Sequence, residues 1–254
     1  MDADLKTPIQ QGTPSAFHAA TCYASPCGRV TLYLGDCLDI LPTLGMVDTI
    51  ITDPPYGVNL DYGDGGYDDS FENWVALIDR FLPMAKQMCR GPIIVPTSKM
   101  EGEPHLHRHA PVWRMCWFKG ASCTRSPIGF KDWEPTYVFG KAPKKQVHDY
   151  FTAHANNVRN EIPEHPCPKP YRWAGWLVDK MSETGQTVVD SFMGSGTTGI
   201  ACIRHGRNFI GIEKDPTHYA TAVARIKNEL AQGDLFSGHN AEVRDGESGP
   251  HAIK

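Results

Sequence analysis

Two short strings in the chain carry residue types that can do chemistry. Asp53-Pro54-Pro55-Tyr56-Gly57 directly follows the apolar run MVDTII. Its consecutive prolines fix φ, restrict the residue before each of them and remove two amide donors. The result is a rigid loop that presents a carboxylate, free carbonyl acceptors and a Tyr ring. Such a surface suits a planar amine: two N–H groups go to the Asp53 carboxylate and the Pro54 carbonyl while Tyr56 stacks on the ring. The plainer reading is a strand-terminating turn, for which Asp and Pro are common residues. The second string, Asp190-Ser191-Phe192-Met193-Gly194-Ser195-Gly196-Thr197-Thr198, follows another short apolar run and opens a helical pattern. Glycines let the backbone approach a ligand closely, and free amides at a helix start favour an anionic group. The run NFIGIE ends in Glu213, about twenty residues further on, where a carboxylate can accept both hydroxyls of a ribose. A dinucleotide would use the same features. A nucleoside triphosphate loop would need a Lys at its end, and none stands between Asp190 and Arg204.

The elements that must position these strings can be read from periodicity. VTLYLGD (30–36), MVDTIITD (46–53), GPIIVP (91–96), VWRMCWF (112–118), PTYVFG (135–140), TVVD (187–190) and NFIGIE (208–213) read as strands. Residues 71–88 place Trp74, Leu77, Ile78, Phe81 and Leu82 at spacings of three and four, an amphipathic helix that Pro83 is expected to kink or divide. Further helices are expected over 171–181, 197–205 and from Pro216 to about Ala231. Strands and helices alternating at this rhythm predict a largely parallel α/β sheet with ligands at its carboxyl edge.

The chain of 254 residues is 41% hydrophobic and 21% charged, ordinary globular usage that excludes collagen-like, coiled-coil and wholly disordered classes. No apolar run reaches the roughly 18–20 residues that cross a bilayer, and the polar start has no apolar signal core, so a cytoplasmic protein is expected. The eight cysteines match no zinc spacing and are read as reduced and structural. His105, His107 and His109 alternate as strand-borne metal ligands would, but no Asp, Cys or further His accompanies them and no metal is expected. The net charge of −4 hides an asymmetry: residues 80–180 carry 16 Lys or Arg against 8 Asp or Glu. A basic middle in an acidic protein fits a local phosphate-binding face, and equally a solvated loop region.

Taken together, the strings resemble the β class of S-adenosylmethionine-dependent amino DNA methyltransferases, in which DPPY precedes the cofactor loop. Asp53 to Tyr56, Asp190 to Thr197 (similar to D-x-F-x-G-S-G-T) and His165-Pro166-Cys167-Pro168-Lys169-Pro170 (similar to H-P-x-x-K-P) fall in that class's order, within residues 28–231. The resemblance implies a Rossmann-like methyltransferase fold: a mostly parallel seven-stranded sheet with helices on both faces and one antiparallel strand. It implies one domain over 28–231, with a catalytic half (28–140), a cofactor half (163–231) and a basic DNA-contacting segment (about 99–162). Residues 1–27 and 232–254 are expected as flexible tails.

For the site, the resemblance implies S-adenosylmethionine as cofactor. Asp190, Phe192, Gly194, Ser195, Gly196 and Thr197 would surround its methionine part, with Lys169, Pro170 and His165 at the methionine end, beside Asp53. Glu213 would hold the ribose, and Asp36 would lie near the cofactor's adenine unless it is only a loop cap. Asp53, Pro54, Pro55 and Tyr56 would be catalytic, acting on an exocyclic amine of a base flipped out of double-stranded DNA. Asp at the head of the motif is typical of the family's adenine-N6 enzymes and Ser of its cytosine-N4 enzymes, so adenine is expected, with cytosine-N4 as the alternative. Lys99, Arg108, Arg125, Lys131, Lys144 and Lys145 are expected to contact DNA. Residues 57–70 are expected to form a lid. Little chain is left for a separate recognition domain, and many members of the class dimerise, so a homodimer is expected. A dinucleotide-dependent oxidoreductase is the rival that would leave DPPY and the basic middle unexplained.

Overall fold

The computed structural model describes residues 22–60, 67–97, 100–119, 125–126, 128–143, 145–146, 148–152 and 169–242, with 125–126 and 233–242 as backbone alone. Its elements in chain order are β1 (Cys22–Ala24), β2 (Val30–Leu34), α1 (Cys37–Ile40), β3 (Thr49–Ile51), α2 (Phe71–Met88), β4 (Pro92–Pro96) and α3 (Glu103–Arg108). There follow β5 (Trp113–Phe118), β6 (Arg125–Ser126), β7 (Gly129–Phe130), β8 (Trp133–Gly140) and β9 (Tyr150–Thr152). The chain closes with α4 (Tyr171–Met181), β10 (Thr187–Asp190), α5 (Thr197–Arg204), β11 (Asn208–Glu213) and α6 (Pro216–Glu242).

Nine strands form one sheet in the order β1-β2-β11-β10-β3-β4-β8-β5-β9, and β6 pairs only with β7. The neighbours from β2 to β4 are parallel, and β9 is parallel to β5; β1 and β8 run against the rest. The expected seven-stranded core is β2 to β5 in this order, with β8 as its antiparallel strand. The sheet is two strands wider than expected, because β1 and β9 add a three-residue strand at each edge. Neither is long enough to show an alternation in sequence. Residues 22–24, expected within a tail, are thereby tied into the sheet.

Both faces of the sheet are covered, which is why its central strands read as continuous apolar runs. Ile51, Ile94, Val188 and Phe209 face α4, α5 and α6, packing with Trp173, Leu177, Ile200, Ala222 and Ile226. Ile50, Ile93, Val95 and Val189 face the other way, against Trp74, Ile78, Phe81 and Leu82 of α2. Ser70 caps α2 by accepting from the Asn73 amide. The helix runs undivided through Pro83. The missing proline amide removes one helical bond, but Phe81 and Leu82 before it and Ala85 after it are buried and hold both halves on the sheet.

Two expectations are corrected. His105 and His107 lie on α3, with His109 just beyond it, and not on a strand. Each is occupied elsewhere: His105 edge-on to Phe71 and Trp74, His107 edge-on to Tyr137, and His109 at 2.8 Å from Asp79. The last helix continues past Ala231 to Glu242. No helix among the described residues is long and apolar enough to cross a membrane.

Phe81 is fully buried and meets Phe192 of the second string edge-on at 5.4 Å. Phe81→Ala should therefore lower unfolding free energy by about 3–5 kcal/mol, read as a shift of the urea midpoint.

Candidate active site

The chain leaves β3 through α2 toward β4 on one face of the sheet, and leaves β10 through α5 toward β11 on the other. Adjacent strands whose connections diverge in this way open a crevice at their carboxyl ends, the place where α/β sheets bind ligands. Asp53 and Ser191 follow those two strand ends. Thr52, fully buried between them, joins the loops: its hydroxyl donates to Asp190 Oδ1 at 2.8 Å and accepts from the amides of Ser191 (3.1 Å) and Phe192 (3.2 Å).

Asp53 has both carboxylate oxygens engaged. Tyr56 donates its hydroxyl to Oδ1 at 2.7 Å, and Lys169 Nζ lies 3.0 Å from Oδ2. The same ammonium donates to Tyr56 Oη at 2.7 Å and sits over the Tyr56 ring. Behind it, Glu134 Oε2 is 3.9 Å away, and the other oxygen of Glu134 pairs with Lys119. Glu134, at the start of β8, is 6% exposed, so this row of two carboxylates and two lysines stands largely out of water. Trp117 lies beside both ammonium groups.

The glycine-rich loop curls on a carboxylate. Glu213 accepts from the Gly194 amide at 2.8 Å and, on its other oxygen, from the Asp215 amide at 2.8 Å. Gly194 and Gly196 have φ of 51° and 81°, and a Cβ on Gly196 would come within 3.1 Å of Ala222, so the loop's course needs glycine there. Ser191 Oγ is buried with no hydrogen-bond partner among the described residues, a polar atom still seeking a ligand. Burial pushes the Asp190 carboxyl up to about 7, against the pull of its bonds from Thr198, Thr52 and the Phe192 amide. Burial also pushes Glu213 up, against its backbone amides. Asp36 caps α1 through the Leu38 amide at 2.9 Å and lies 3.2 Å from Lys214, next to Glu213 along the sheet edge.

Asp69 organises the chain after Tyr56. Buried at 3% exposure, its carboxylate accepts from the amides of Gly57 (2.7 Å), Val58 (3.1 Å) and Leu60 (3.0 Å). The two ends of the expected lid are thus clasped together, while 61–66 lie outside the described residues.

The structure therefore brings together Asp53, Tyr56, Lys169 and the 190–197 loop with Glu213 and Asp36. His165, Lys99 and Lys144 fall outside the described residues, and for Arg125 only the backbone is described. Two expected DNA-contacting cations are placed elsewhere. Arg108 reaches Asp79 of α2 at 3.7 Å, and Lys145 bonds Asp179 and Glu183 at the opposite edge of the sheet. Lys131 is half-buried near Glu134 and Lys119, and burial lowers its pKa. Sequence reading missed Thr52, Asp69, Lys119 and Glu134. Only Thr52, beside Asp53, had a positional signal.

The chain resembles known proteins along most of its length. The model of a DNA methylase family of the N6/N4 type matches residues 96–224, just over half of the chain. The Escherichia coli K12 protein named as methylase YubD is 26% identical over 222 residues, covering 78% of this chain and 92% of its own. The crystal structure of the M1.HpyAVI–SAM complex aligns at 25% identity with a TM-score of 0.57, over 77% of this chain and 99% of that one. The cytosine-N4-specific PvuII DNA methyltransferase aligns at 17% identity with a TM-score of 0.62, over 80% and 92% of the two chains, and shares the fold.

Thr52→Val keeps the shape and removes the shared hydroxyl, leaving Asp190 one donor short and the buried Ser191 amide without its acceptor, while the Phe192 amide keeps Asp190. It should cost about 2–4 kcal/mol by chemical denaturation and lower activity beyond that loss of folded protein. Asp190 makes stability pH-dependent. Its folded pKa lies above the unfolded value near 4, so folding favours the neutral acid, and this contribution declines as pH rises from about 4 to about 7, by up to about 1.4 kcal/mol per unit. Denaturation of wild type and Asp190→Asn across that range should show a steeper decline in wild type, the variant keeping only the smaller part that the raised Glu213 supplies.

Proposed function

The chain belongs to the N6/N4 family of DNA methylases, and from that premise we propose that it transfers a methyl group from S-adenosylmethionine to the N6 amine of an adenine flipped out of duplex DNA. The observation that carries the reading is Asp53, fixed by Tyr56 and Lys169 at the switch point and joined through Thr52 to the glycine-rich loop. Adenine is chosen over cytosine because Asp heads the motif, as in the family's adenine enzymes.

The residues fit the cofactor. The unpartnered Ser191 hydroxyl, the positive-φ glycines and the buried Glu213 carboxylate form a polar cradle at a helix start. Ser191, Phe192, Gly194, Ser195, Gly196 and Thr197 would hold the methionine part, Glu213 the ribose, Asp36 the adenine end, and Lys169 and Pro170 the side facing Asp53. When bound, S-adenosylmethionine supplies an electrophilic methyl on sulfonium, so the protein needs chiefly to align an amine with it.

That alignment follows from Asp53. Each carboxylate oxygen has more than one acceptor site, so an amine N–H adds to the bonds from Tyr56 and Lys169. A second N–H goes to the Pro54 carbonyl, whose loop has no competing amide at Pro54 or Pro55. Two acceptors on one –NH₂ favour pyramidal nitrogen with its lone pair directed away from them, and Asp53 stabilises the positive charge that develops there. Lys169 holds the carboxylate in place. The Tyr56 ring lies where a base withdrawn from its stack can regain a planar neighbour. We assign phosphate contact to the segment that follows the carboxyl end of β5 and contains Lys119, Arg125 and Lys131.

Incubation with tritiated S-adenosylmethionine and mixed-sequence DNA, followed by digestion to nucleosides, tests the reading. Label should appear in N6-methyladenine and fall about 100- to 1000-fold in Asp53→Ala with the circular dichroism unchanged. Label in N4-methylcytosine would keep the chemistry and overturn the base. A protein that labels no DNA would overturn the substrate.

A further inference from the structure

The β5–β8 ribbon continues beyond the edge of the sheet. After the Phe118–Trp133 pair, the Lys119 amide donates to the Asp132 carbonyl at 2.7 Å, and further along β6 and β7 pair Arg125 with Phe130 and Ser126 with Gly129. Ile128 lies between β6 and β7 and is 100% exposed. Phe130 is 65% exposed, and Phe118 and Trp133 at the base are partly exposed as well. A two-residue ladder has no core of its own, so folding does not account for a bare aliphatic tip flanked by aromatic rings.

Its location does. β5 is parallel to β3, so Phe118 ends at the same carboxyl edge as Asp53. Side chains connect the two: Lys119 pairs with Glu134, Glu134 lies 3.9 Å from Lys169, and Lys169 lies 3.0 Å from Asp53. The segment that bears this tip also contains Lys119, Arg125 and Lys131 in its sequence. An apolar point on a basic segment suits a polyanion with an apolar interior, which is a nucleic acid duplex, better than it suits an apolar protein groove.

We propose that Ile128 is the wedge that enters the base stack when the target base leaves it. The inference rests on the reading of this chain as a methyltransferase acting on a flipped base. Withdrawing a base leaves a hole between its former neighbours, and the vacated space is refilled either by collapse of the duplex or by an apolar side chain. Tyr56 receives the base in the crevice; Ile128 occupies the place it left. β7 leads within two residues into β8, so Ile128 is carried by the strand that also presents Glu134 beside Lys169.

The test uses the full chain. Sites methylated by wild type are first mapped on PCR-amplified DNA, and two short duplexes are built on one mapped site. One has the target base paired; the other has an abasic position opposite it, which removes the pairing to be broken. Ile128→Ser and Ile128→Ala should lose about tenfold in kcat/KM on the paired duplex and stay within about twofold of wild type on the abasic one. Equal loss on both duplexes, or no loss on the paired one, would overturn the wedge while leaving the methyltransferase reading intact. Wild type that methylates no DNA would overturn that reading, and the wedge with it. An unchanged thermal midpoint and unchanged S-adenosylmethionine binding by titration check that the exposed substitution leaves the fold alone.

Discussion

One hydroxyl group holds the two halves of the site together. Thr52 Oγ1 has one proton and two lone pairs, and all are used between strands that are neighbours in space and 138 positions apart in sequence. The proton goes to Asp190, and the lone pairs receive the amides of Ser191 and Phe192. The loop that presents Asp53 and the loop that winds toward Glu213 are thereby registered to within one hydrogen bond. A reaction that consists of placing an amine in line with a methyl group depends on that registration more than on any strong acid or base. Phe192 extends the same control outward by packing on Phe81, so the helix on the far side of the sheet supports the loop as well.

Electrostatics supplies the second constraint. Asp53, Lys169, Glu134 and Lys119 alternate in sign and stand largely away from water. In such a row each charge is tolerable only because of its neighbours, and removing one leaves another buried and unpaired. Lys169 is pulled from two sides, which limits where its ammonium can go and fixes Tyr56 beside Asp53. The Asp190 carboxyl, by contrast, is raised by desolvation on burial, and the hydrogen-bond donors around it offset only part of that rise.

Much of this was legible in the sequence, for identifiable reasons. The seven core strands and the helices over 71–88, 171–181 and 197–204 were readable because two-sided burial writes long apolar runs and periodic faces. Asp53 to Tyr56 and the 190–197 loop stood out because prolines and glycines have few reasons to cluster at strand ends. The three-residue edge strands were too short to leave a period, and the alternate histidines at 105, 107 and 109 imitated a strand while packing on three different partners from a short helix. Glu134 and Asp69 were invisible for another reason. Their roles lie in partners brought by tertiary structure, Lys169 across the sheet and the amides of 57–60 across the lid, and no local pattern specifies either. Charge counting likewise marked the basic middle without marking its contacts, such as Arg108 with Asp79 of α2 and Lys145 with Asp179 of α4.

The order of the two strings along the chain follows from the same topology. β3 and β10 must be adjacent to make the crevice, yet the chain between them passes through β4, β5, β8 and β9 before it returns through α4. Among the described residues, those four strands lie on the side of the sheet that carries Asp53, with Glu134 among them. β11, after β10, lies on the side that carries Glu213. The fold thus separates the elements that handle the amine from those that carry Glu213 and the glycine loop, with Thr52 and Lys169 as the points where they meet. Closing so long a loop is costly in chain entropy, and the Thr52–Asp190 bond alone offsets little of it. The paired strands and the two apolar layers bring the halves together. The hydroxyl then selects, among the nearly equivalent packings those layers allow, the one in which Asp53 and the glycine loop face a common space.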